Sequence, residues 1–412
     1  MIKLSQSQEY TIGGVSATEI AKEYGTPLYV YDISTIESQY NRLDAAFSSI
    51  GKRRINYAMK ALSNINILRT MRRLGSGIDA VSINEVMLAL KAGFAPSDII
   101  YTPSGVDMEE IDIAVELGVN INIDSMVALE EFARRHKDTP VGIRITPHIV
   151  AGGNAKICTG GIDSKFGISI HYLDRVEALS RETGLKINGI HMHTGSDIYD
   201  VDVFLRGAEI LFNAASRFPV EYIDFGSGFK VRYRDTDRAT NVELLGEKLS
   251  AAFNAFCEKA GRDICFMIEP GKFLVSDSGT LLVGVNWVKQ APVTTFAQVN
   301  SGLNHLIRPM MYDAYHHIVN ISNPCGEIKD YNVTGYICET DNFAQNRPIN
   351  EIRKGDVLAI MNAGAYGYTM ASMYNSRFRP AQVMVKDGRC HLISRPDTLE
   401  DILSTQIDMG EL

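Results

Sequence analysis

From about residue 36 the chain repeats one pattern: a short apolar run, then a stretch with apolar positions at helical spacing. The apolar runs are Ile55–Met59, Gly77–Ser82, Asp98–Thr102, Val119–Asp124, Val141–Thr146, Ile187–His193, Tyr222–Phe225 and Ile264–Glu269. Between them lie amphipathic segments such as Ile65–Leu74, Asn84–Ala92, Met108–Leu117, Met126–Arg135, Leu173–Glu182, Val203–Ala215 and Leu244–Ala260. Several stop at a glycine (Gly75, Gly93, Gly118, Gly184), the residue that closes a helix most easily. Strands alternating with helices imply a parallel sheet, and eight repeats imply a closed (β/α)8 barrel over 36–275. An open doubly wound sheet would need a glycine-rich turn after its first strand, and Lys60-Ala61-Leu62-Ser63-Asn64 is not one. Past residue 276 the period shortens. Thr280–Val288, Val293–Val299, Val333–Ile337, Val357–Met361, Ala381–Val385 and Arg389–Ile393 read as strands of a second, mostly antiparallel β domain (276–412). The first 35 residues, with the strand Pro27–Asp32, are expected to join it. Ser16 and Glu19 form a capping-box pattern for a helix there.

A barrel puts its chemistry at the carboxyl ends of its strands. Those ends carry Lys60, Asp79, Thr102 to Gly105, Asp124 with Ser125, Arg144, His193 with Gly195 and Ser196, Gly226-Ser227-Gly228, and Glu269-Pro270-Gly271. A lysine desolvated at a strand end has a lowered pKa and becomes an amine nucleophile, suited to hold pyridoxal phosphate as a Schiff base; the alternative is an ordinary surface lysine. Gly226-Ser227-Gly228 lets backbone N–H groups approach a phosphate, and the Ser196 hydroxyl could add a donor. A carboxylate such as Glu269 would keep a pyridine nitrogen protonated, or it would form a structural ion pair with Arg144. His191 and His193 alternate onto one face, and His193 reads as a ring-stacking or a core histidine. Cys338-Glu339 pairs a thiol that can deliver a proton with a carboxylate that can bind an amine; alone, Cys338 reads more readily as a buried hydrophobe. Arg308 with Tyr312 offers a fork for a carboxylate, and Gly364–Tyr368 and Ser372–Asn375 suit a pocket wall.

Composition narrows the class. Hydrophobic residues at 45% and charged residues at 22% are ordinary for a globular chain. A net charge of −8 argues against a nucleic-acid or membrane-surface partner. No apolar run approaches the ~20 residues of a membrane span, and the amino terminus lacks the apolar core of a signal peptide. The cysteines, Cys158, Cys257, Cys265, Cys325, Cys338 and Cys390, form no CxxC pair and no metal spacing. No metal is expected, and a reducing cytoplasm fits.

Taken in order, these motifs resemble the fold type III, alanine-racemase-like family of pyridoxal-phosphate-dependent decarboxylases. The resemblance runs from Pro27–Asp32 through Tyr57-Ala58-Met59-Lys60-Ala61, Asp163-Ser164-Lys165-Phe166-Gly167, His191–Ser196, Asp224–Phe229, Glu269-Pro270-Gly271, Arg308–His316, Cys338-Glu339 and Gly364-Ala365-Tyr366 to the final helix, Thr398–Leu403. Within the family it is strongest to the branch acting on meso-2,6-diaminopimelate. It implies decarboxylation of that amino acid to L-lysine with pyridoxal 5'-phosphate.

The resemblance also implies roles. Lys60 carries the cofactor, His193 stacks on its ring and Glu269 pairs with the ring nitrogen. Ser196, Gly228, Gly271, Lys272 and Tyr366 hold the phosphate, with Asp79 and Pro270 beside the cofactor. Lys272, Arg308, Tyr312, Glu339 and Tyr366 face the substrate, and Cys338 is the proton donor. Lys60, His193 and Cys338 form the catalytic set. Cys338-Glu339 is expected from the partner subunit of a homodimer. Four motifs depart from the family pattern: the usual triple glycine is here Gly226-Ser227-Gly228, and the Gly-Asn expected after the third strand is Thr102-Pro103-Ser104-Gly105. Glu-Pro-Gly-Arg is here Glu269-Pro270-Gly271-Lys272, and Cys-Glu-Ser-Gly-Asp is here Cys338-Glu339-Thr340-Asp341-Asn342. Same-fold decarboxylation of ornithine, lysine or carboxynorspermidine is the alternative reading; an amino-acid racemase or a non-catalytic cofactor-binding protein fits these residues less well.

Overall fold

The computed structural model describes residues 2–5, 8–148, 161 and 163–410; Cys158 lies outside them. The chain divides into two units. One comprises Tyr40–Arg232 and Arg238–Phe273; the other comprises Met1–Gln39, Tyr233–Asp237 and Leu274–Leu412. The short segment Tyr233–Asp237 therefore groups with the second unit, although it lies inside the expected barrel span 36–275.

The first unit is a closed (β/α)8 barrel. Its strands are β1 (Arg53–Ala58), β2 (Gly77–Ala80), β3 (Ile99–Tyr101), β4 (Asn120–Ile123), β5 (Val141–Thr146), β6 (Ile187–Met192), β7 (Tyr222–Asp224) and β8 (Cys265–Ile268). Each pairs in parallel with the next, and Phe266 opposite Arg53 closes β8 onto β1. These strands are buried on both faces, which is why they read as continuous apolar runs rather than alternations. Side-chain caps start the helices: Asn64, Ser82, Asp107 and Ser125 each accept a backbone N–H of the following first turn. Ser125, read from sequence among the strand-end polar groups, is thus a cap. Thr102 likewise serves the interior, where its hydroxyl accepts from Asn122 at 3.0 Å and Asn122 in turn accepts from the Tyr222 hydroxyl at 2.6 Å.

One flank of the barrel is aromatic. Phe266 of β8 packs on Phe47 (ring centroids 5.0 Å), Phe225 (4.9 Å) and Phe253 (5.3 Å). Such pairs contribute about 0.5–1.5 kcal/mol each beyond the area they bury. They anchor the last two strands, whose carboxyl ends carry Gly226-Ser227-Gly228 and Glu269.

The second unit is built on a mostly antiparallel sheet. Its carboxyl-terminal strands are β9 (Gly279–Gln290), β10 (Thr295–Val299), β11 (Ile318–Asn320), β12 (Ile328–Thr334), β13 (Asn342–Asn350), β14 (Val357–Ile360), β15 (Ala381–Lys386) and β16 (Arg389–Ser394). The amino-terminal strand Leu28–Asp32 is inserted between β9 and β15, fully buried. The helix Ala17–Tyr24 starts at Ser16, whose hydroxyl accepts the N–H of Glu19, as the capping pattern implies. Three strands depart from the expected set, the first being the short β11, which was not expected. β12 stops at Thr334, so Cys338 sits in a turn rather than after a strand ending at Ile337. β13 was not expected at all. Two register shifts in its pairing with β12 break the two-residue alternation that marks a strand in sequence.

Candidate active site

In the barrel unit the strand ends converge as the architecture demands. Lys60 does not end the strand itself: β1 stops at Ala58, and Lys60 rides on a single 3-10 turn, Met59–Ala61. The Tyr57 hydroxyl pins that turn by donating to Leu62 O at 2.9 Å. The Lys60 side chain is 42% exposed, and its Nζ lies 3.4 Å from Asp79 Oδ2 at the end of β2. The expected desolvation is therefore not present; the amine stands at the open end of the strands beside a carboxylate. Burial, then repulsion from Glu269, pushes the Asp79 carboxyl up to about 6, against the pull of Lys60.

The backbone ties the remaining ends together. Ala58 N donates to Pro270 O at 3.2 Å, and Glu269 N donates to Gly226 O at 2.8 Å. The Ser227 hydroxyl donates to Glu269 O at 2.8 Å. The glycine turn is tight. Gly226 (φ +61°) and Gly228 (φ +97°) are left-handed, and a Cβ on Gly228 would meet Gly195 O at 2.1 Å. Gly228 O in turn accepts Ile198 N at 3.0 Å, so the Gly226–Gly228 and His193–Ile198 loops form one cradle containing Ser196.

Glu269 is buried, and its Oε2 lies 2.9 Å from His191 Nε2. The ion pair considered with Arg144 is thus replaced by His191, and Arg144 instead packs its guanidinium 4.6 Å over the Phe166 ring. Burial pushes the Glu269 carboxyl up, but the charge and hydrogen bond of His191, with Lys60, outweigh it and hold the group down at about 2. Glu269 Oε1 is buried with no hydrogen-bond partner. His193 accepts Ser227 N at 3.5 Å through Nδ1, and burial, with Arg144 and Lys60 nearby, lowers its pKa to about 3. Its ring is neutral at physiological pH. Lys272, expected to face phosphate and substrate, places its Nζ 2.6 Å from Asp197 Oδ1. Sequence reasoning missed both His191 and Asp197. Alternation with His193 was the available signal for His191; nothing marked Asp197.

These features fit pyridoxal phosphate: a half-exposed amine, a glycine cradle that any Cβ would fill, and a buried anionic carboxylate with one oxygen unpartnered. Among the described residues, His191, Asp224 and Glu269 also gather one potential metal-ligand atom each within 4.8 Å. The His191–Glu269 hydrogen bond and the acceptance of Gly226 N by Asp224 at 2.9 Å engage all three side chains without an ion.

The second unit holds two further groups. Arg308, at the start of the short helix Arg308–Tyr312, is buried and its Nε has no partner. Its Nη2 donates to the Tyr233 hydroxyl at 3.3 Å, and its guanidinium lies over the rings of Tyr233 (5.5 Å) and Tyr312 (5.9 Å). No carboxylate within salt-bridge distance of Arg308 is found among the described residues. The other group is Cys338 and Glu339, both exposed on their turn. The Tyr374 hydroxyl donates to Glu339, and Asn375 Nδ2 donates to Cys338 Sγ at 3.4 Å. The buried-hydrophobe reading of Cys338 is thereby excluded. Tyr366 sits partly buried at φ +55° in the turn after β14.

The acid displaced in the Cys-Glu motif has a definite task. Asp341 is buried and accepts Leu303 N at 2.6 Å and Ile337 N at 2.9 Å, and its own carbonyl accepts Gly335 N at 2.9 Å. It closes the turn that displays Cys338 and Glu339. Asp341→Ala would leave two backbone N–H groups unpaired, at about 1–3 kcal/mol each. The expected result is a lower midpoint in urea with unchanged slope; a midpoint within error of the wild type would remove this role.

Comparison with known proteins supports the pyridoxal phosphate reading. Residues 33–276 match the family model "Pyridoxal-dependent decarboxylase, pyridoxal binding domain". The chain is 39% identical to a diaminopimelate decarboxylase of Methanothermobacter thermautotrophicus, over 98% of this chain and 97% of that one. It is 36% identical to the Zymomonas mobilis diaminopimelate decarboxylase, over 93% of each. The solved M. jannaschii diaminopimelate decarboxylase in complex with L-lysine superposes with a TM-score of 0.90 at 29% identity, covering 99% of this chain and 98% of that one. The Helicobacter pylori diaminopimelate decarboxylase complexed with L-lysine gives a TM-score of 0.87 at 30% identity, covering 94% and 98%. A Vibrio vulnificus lysine/ornithine decarboxylase shares the fold at 21% identity.

Proposed function

The chain belongs to the pyridoxal-dependent decarboxylases, and from that premise we propose that it is a cytoplasmic carboxy-lyase converting meso-2,6-diaminopimelate to L-lysine and CO2. One observation carries the substrate assignment: a buried arginine, Arg308, with an unpartnered Nε and no carboxylate at salt-bridge distance among the described residues. A buried cation of this kind calls for an anionic ligand. Diaminopimelate has a second carboxylate, at the end remote from the reacting carbon; ornithine and lysine have none.

When bound, pyridoxal phosphate supplies a conjugated ring that takes up the electron pair released at the substrate's α-carbon as CO2 leaves. Lys60 offers the amine that would hold it. Ser196, the Gly226–Gly228 turn, the backbone of Gly271 and Lys272, and Tyr366 would hold its phosphate, with Asp79 and Pro270 alongside. Glu269 would keep a proton at the ring nitrogen, and the neutral His193 would stand beside the ring. Arg308, Tyr312 and Glu339 orient the distal amino-acid end of the substrate. The Cys338 thiol returns a proton to the α-carbon.

The same reading makes the protein a homodimer, each chain lending its exposed Cys338-Glu339 to its partner. Cys338→Ala is expected to bind cofactor normally and lose about 10²-fold in kcat, the scale of one positioned proton donor. Mixing it with a Lys60→Ala chain should restore turnover, since one of the two hybrid sites is then intact. Unchanged kcat would remove the acid role, and no recovery on mixing would remove the shared site.

The substrate assignment is tested by kcat/KM across meso-diaminopimelate, L-lysine, ornithine, arginine and carboxynorspermidine. Diaminopimelate is expected to exceed the others by at least about 10²-fold, the discrimination given by a charged contact. Preference for ornithine would overturn it.

A further inference from the structure

The contact behind Glu269 is as deliberate as Glu269 itself. His191 is 1% exposed and Glu269 5%, so neither group is solvated. A carboxylate accepts but cannot donate, so the proton in the 2.9 Å contact is on His191 Nε2 and points at Glu269 Oε2. His191 Nδ1 has no partner. The imidazole therefore has one hydrogen bond and spends it on the carboxylate. Glu269 Oε1 is left as the one buried, unpartnered acceptor of that side chain. Other charged and titratable groups act on Glu269 from neighbouring elements. Lys60, after β1, and Arg144, on β5, favour its anion. Asp79, at the end of β2, and Asp224, at the end of β7, oppose it; His193 lies beside them. Two buried acids facing a third would ordinarily leave it neutral. A donor fixed against Oε2 counters that tendency and also sets the rotamer of the carboxylate.

We propose that His191 is a positioning residue for Glu269: it donates to Oε2, holds the carboxylate ionised and in one orientation, and so presents Oε1 to the protonated ring nitrogen of the cofactor. The inference rests on the pyridoxal phosphate reading of the site and adds to it a residue that never touches substrate. Its role is that of an outer partner that fixes the basicity of the group in direct contact.

The test uses the full-length protein loaded with pyridoxal phosphate labelled with 15N at the ring nitrogen, in wild type, His191→Leu and His191→Gln. Leucine keeps volume without a donor; glutamine keeps a donor at a similar reach. The 15N resonance of the wild type is expected at the protonated position at pH 7. In His191→Leu it moves to the unprotonated position, and kcat falls about ten- to a hundredfold, the range for losing an outer hydrogen-bond partner. In His191→Gln the protonated resonance is restored. A purely structural role would lower stability in both variants without moving the resonance. A protonated resonance in His191→Leu with native-like circular dichroism overturns the inference. A wild type that takes up no cofactor overturns the pyridoxal reading instead, and the inference with it.

Discussion

Lys60→Ala is expected to abolish covalent cofactor attachment and to lower turnover by at least about 10⁴-fold, the scale on which a principal catalytic group is lost. The variant should fold. Lys60 sits on a turn, its side chain is 42% exposed, and its Nζ lies 3.4 Å from Asp79. Removing an exposed side chain of this kind costs within about 0.5 kcal/mol. The electrostatics nearby should change in a definite direction. Lys60 pulls Asp79 down against burial and Glu269, so its loss lets the Asp79 carboxyl rise further above about 6. The visible absorbance of the loaded protein reports the attachment, and borohydride reduction followed by peptide mapping reports the residue. The wild type should carry the adduct on Lys60; an adduct on any other lysine, or an active Lys60→Ala, would contradict the assignment.

Arg308→Met should raise KM for meso-diaminopimelate by about 10²-fold or more and affect kcat less. Truncating one partner of a buried charged hydrogen bond costs about 2–5 kcal/mol, and each 1.4 kcal/mol is tenfold in affinity. The surroundings explain why substitution by lysine is not conservative either. Tyr233 and Tyr312 lie against the guanidinium face, and the Tyr233 hydroxyl takes one of its donors at 3.3 Å. An ammonium offers neither the plane nor the fork. His316 cannot substitute for the charge, since burial first, with Arg308 nearby, lowers its pKa to about 3. Slow turnover of L-lysine, which has no distal carboxylate, should be insensitive to the change. Equal losses on both substrates would mean that Arg308 supports the fold rather than the second carboxylate.

The barrel was largely legible because its strands are buried on both faces and its helices end at glycine. Val141–Thr146 and Met126–Arg135 begin and end where their apolar pattern does. β1 instead starts two residues earlier than read, at Arg53; the remaining barrel strands are shorter than read, by a residue or two, because the residues that finish the apolar run, such as His193 and Glu269, already belong to the site loops. The β unit was harder to read. β13 is hidden by bulged pairing and by Pro348 in an otherwise ladder-forming run. Ordered motifs pointed to Lys60, Glu269 and the glycine turn. The groups acting through them were not visible: His191 looked like a neighbour of His193, Asp197 lay in a loop, and Asp341 stood one place before the expected acid. Each is defined by a contact across the fold, 78 residues apart for His191 and Glu269 and 75 for Asp197 and Lys272. Spacing along a chain does not encode that.

The most direct measurement is the product balance from meso-2,6-diaminopimelate with the protein loaded with pyridoxal phosphate. The account predicts CO2 and L-lysine released in equal amounts, with both lost in Lys60→Ala. Consumption of diaminopimelate without CO2, or CO2 accompanied by a product other than lysine, would contradict it.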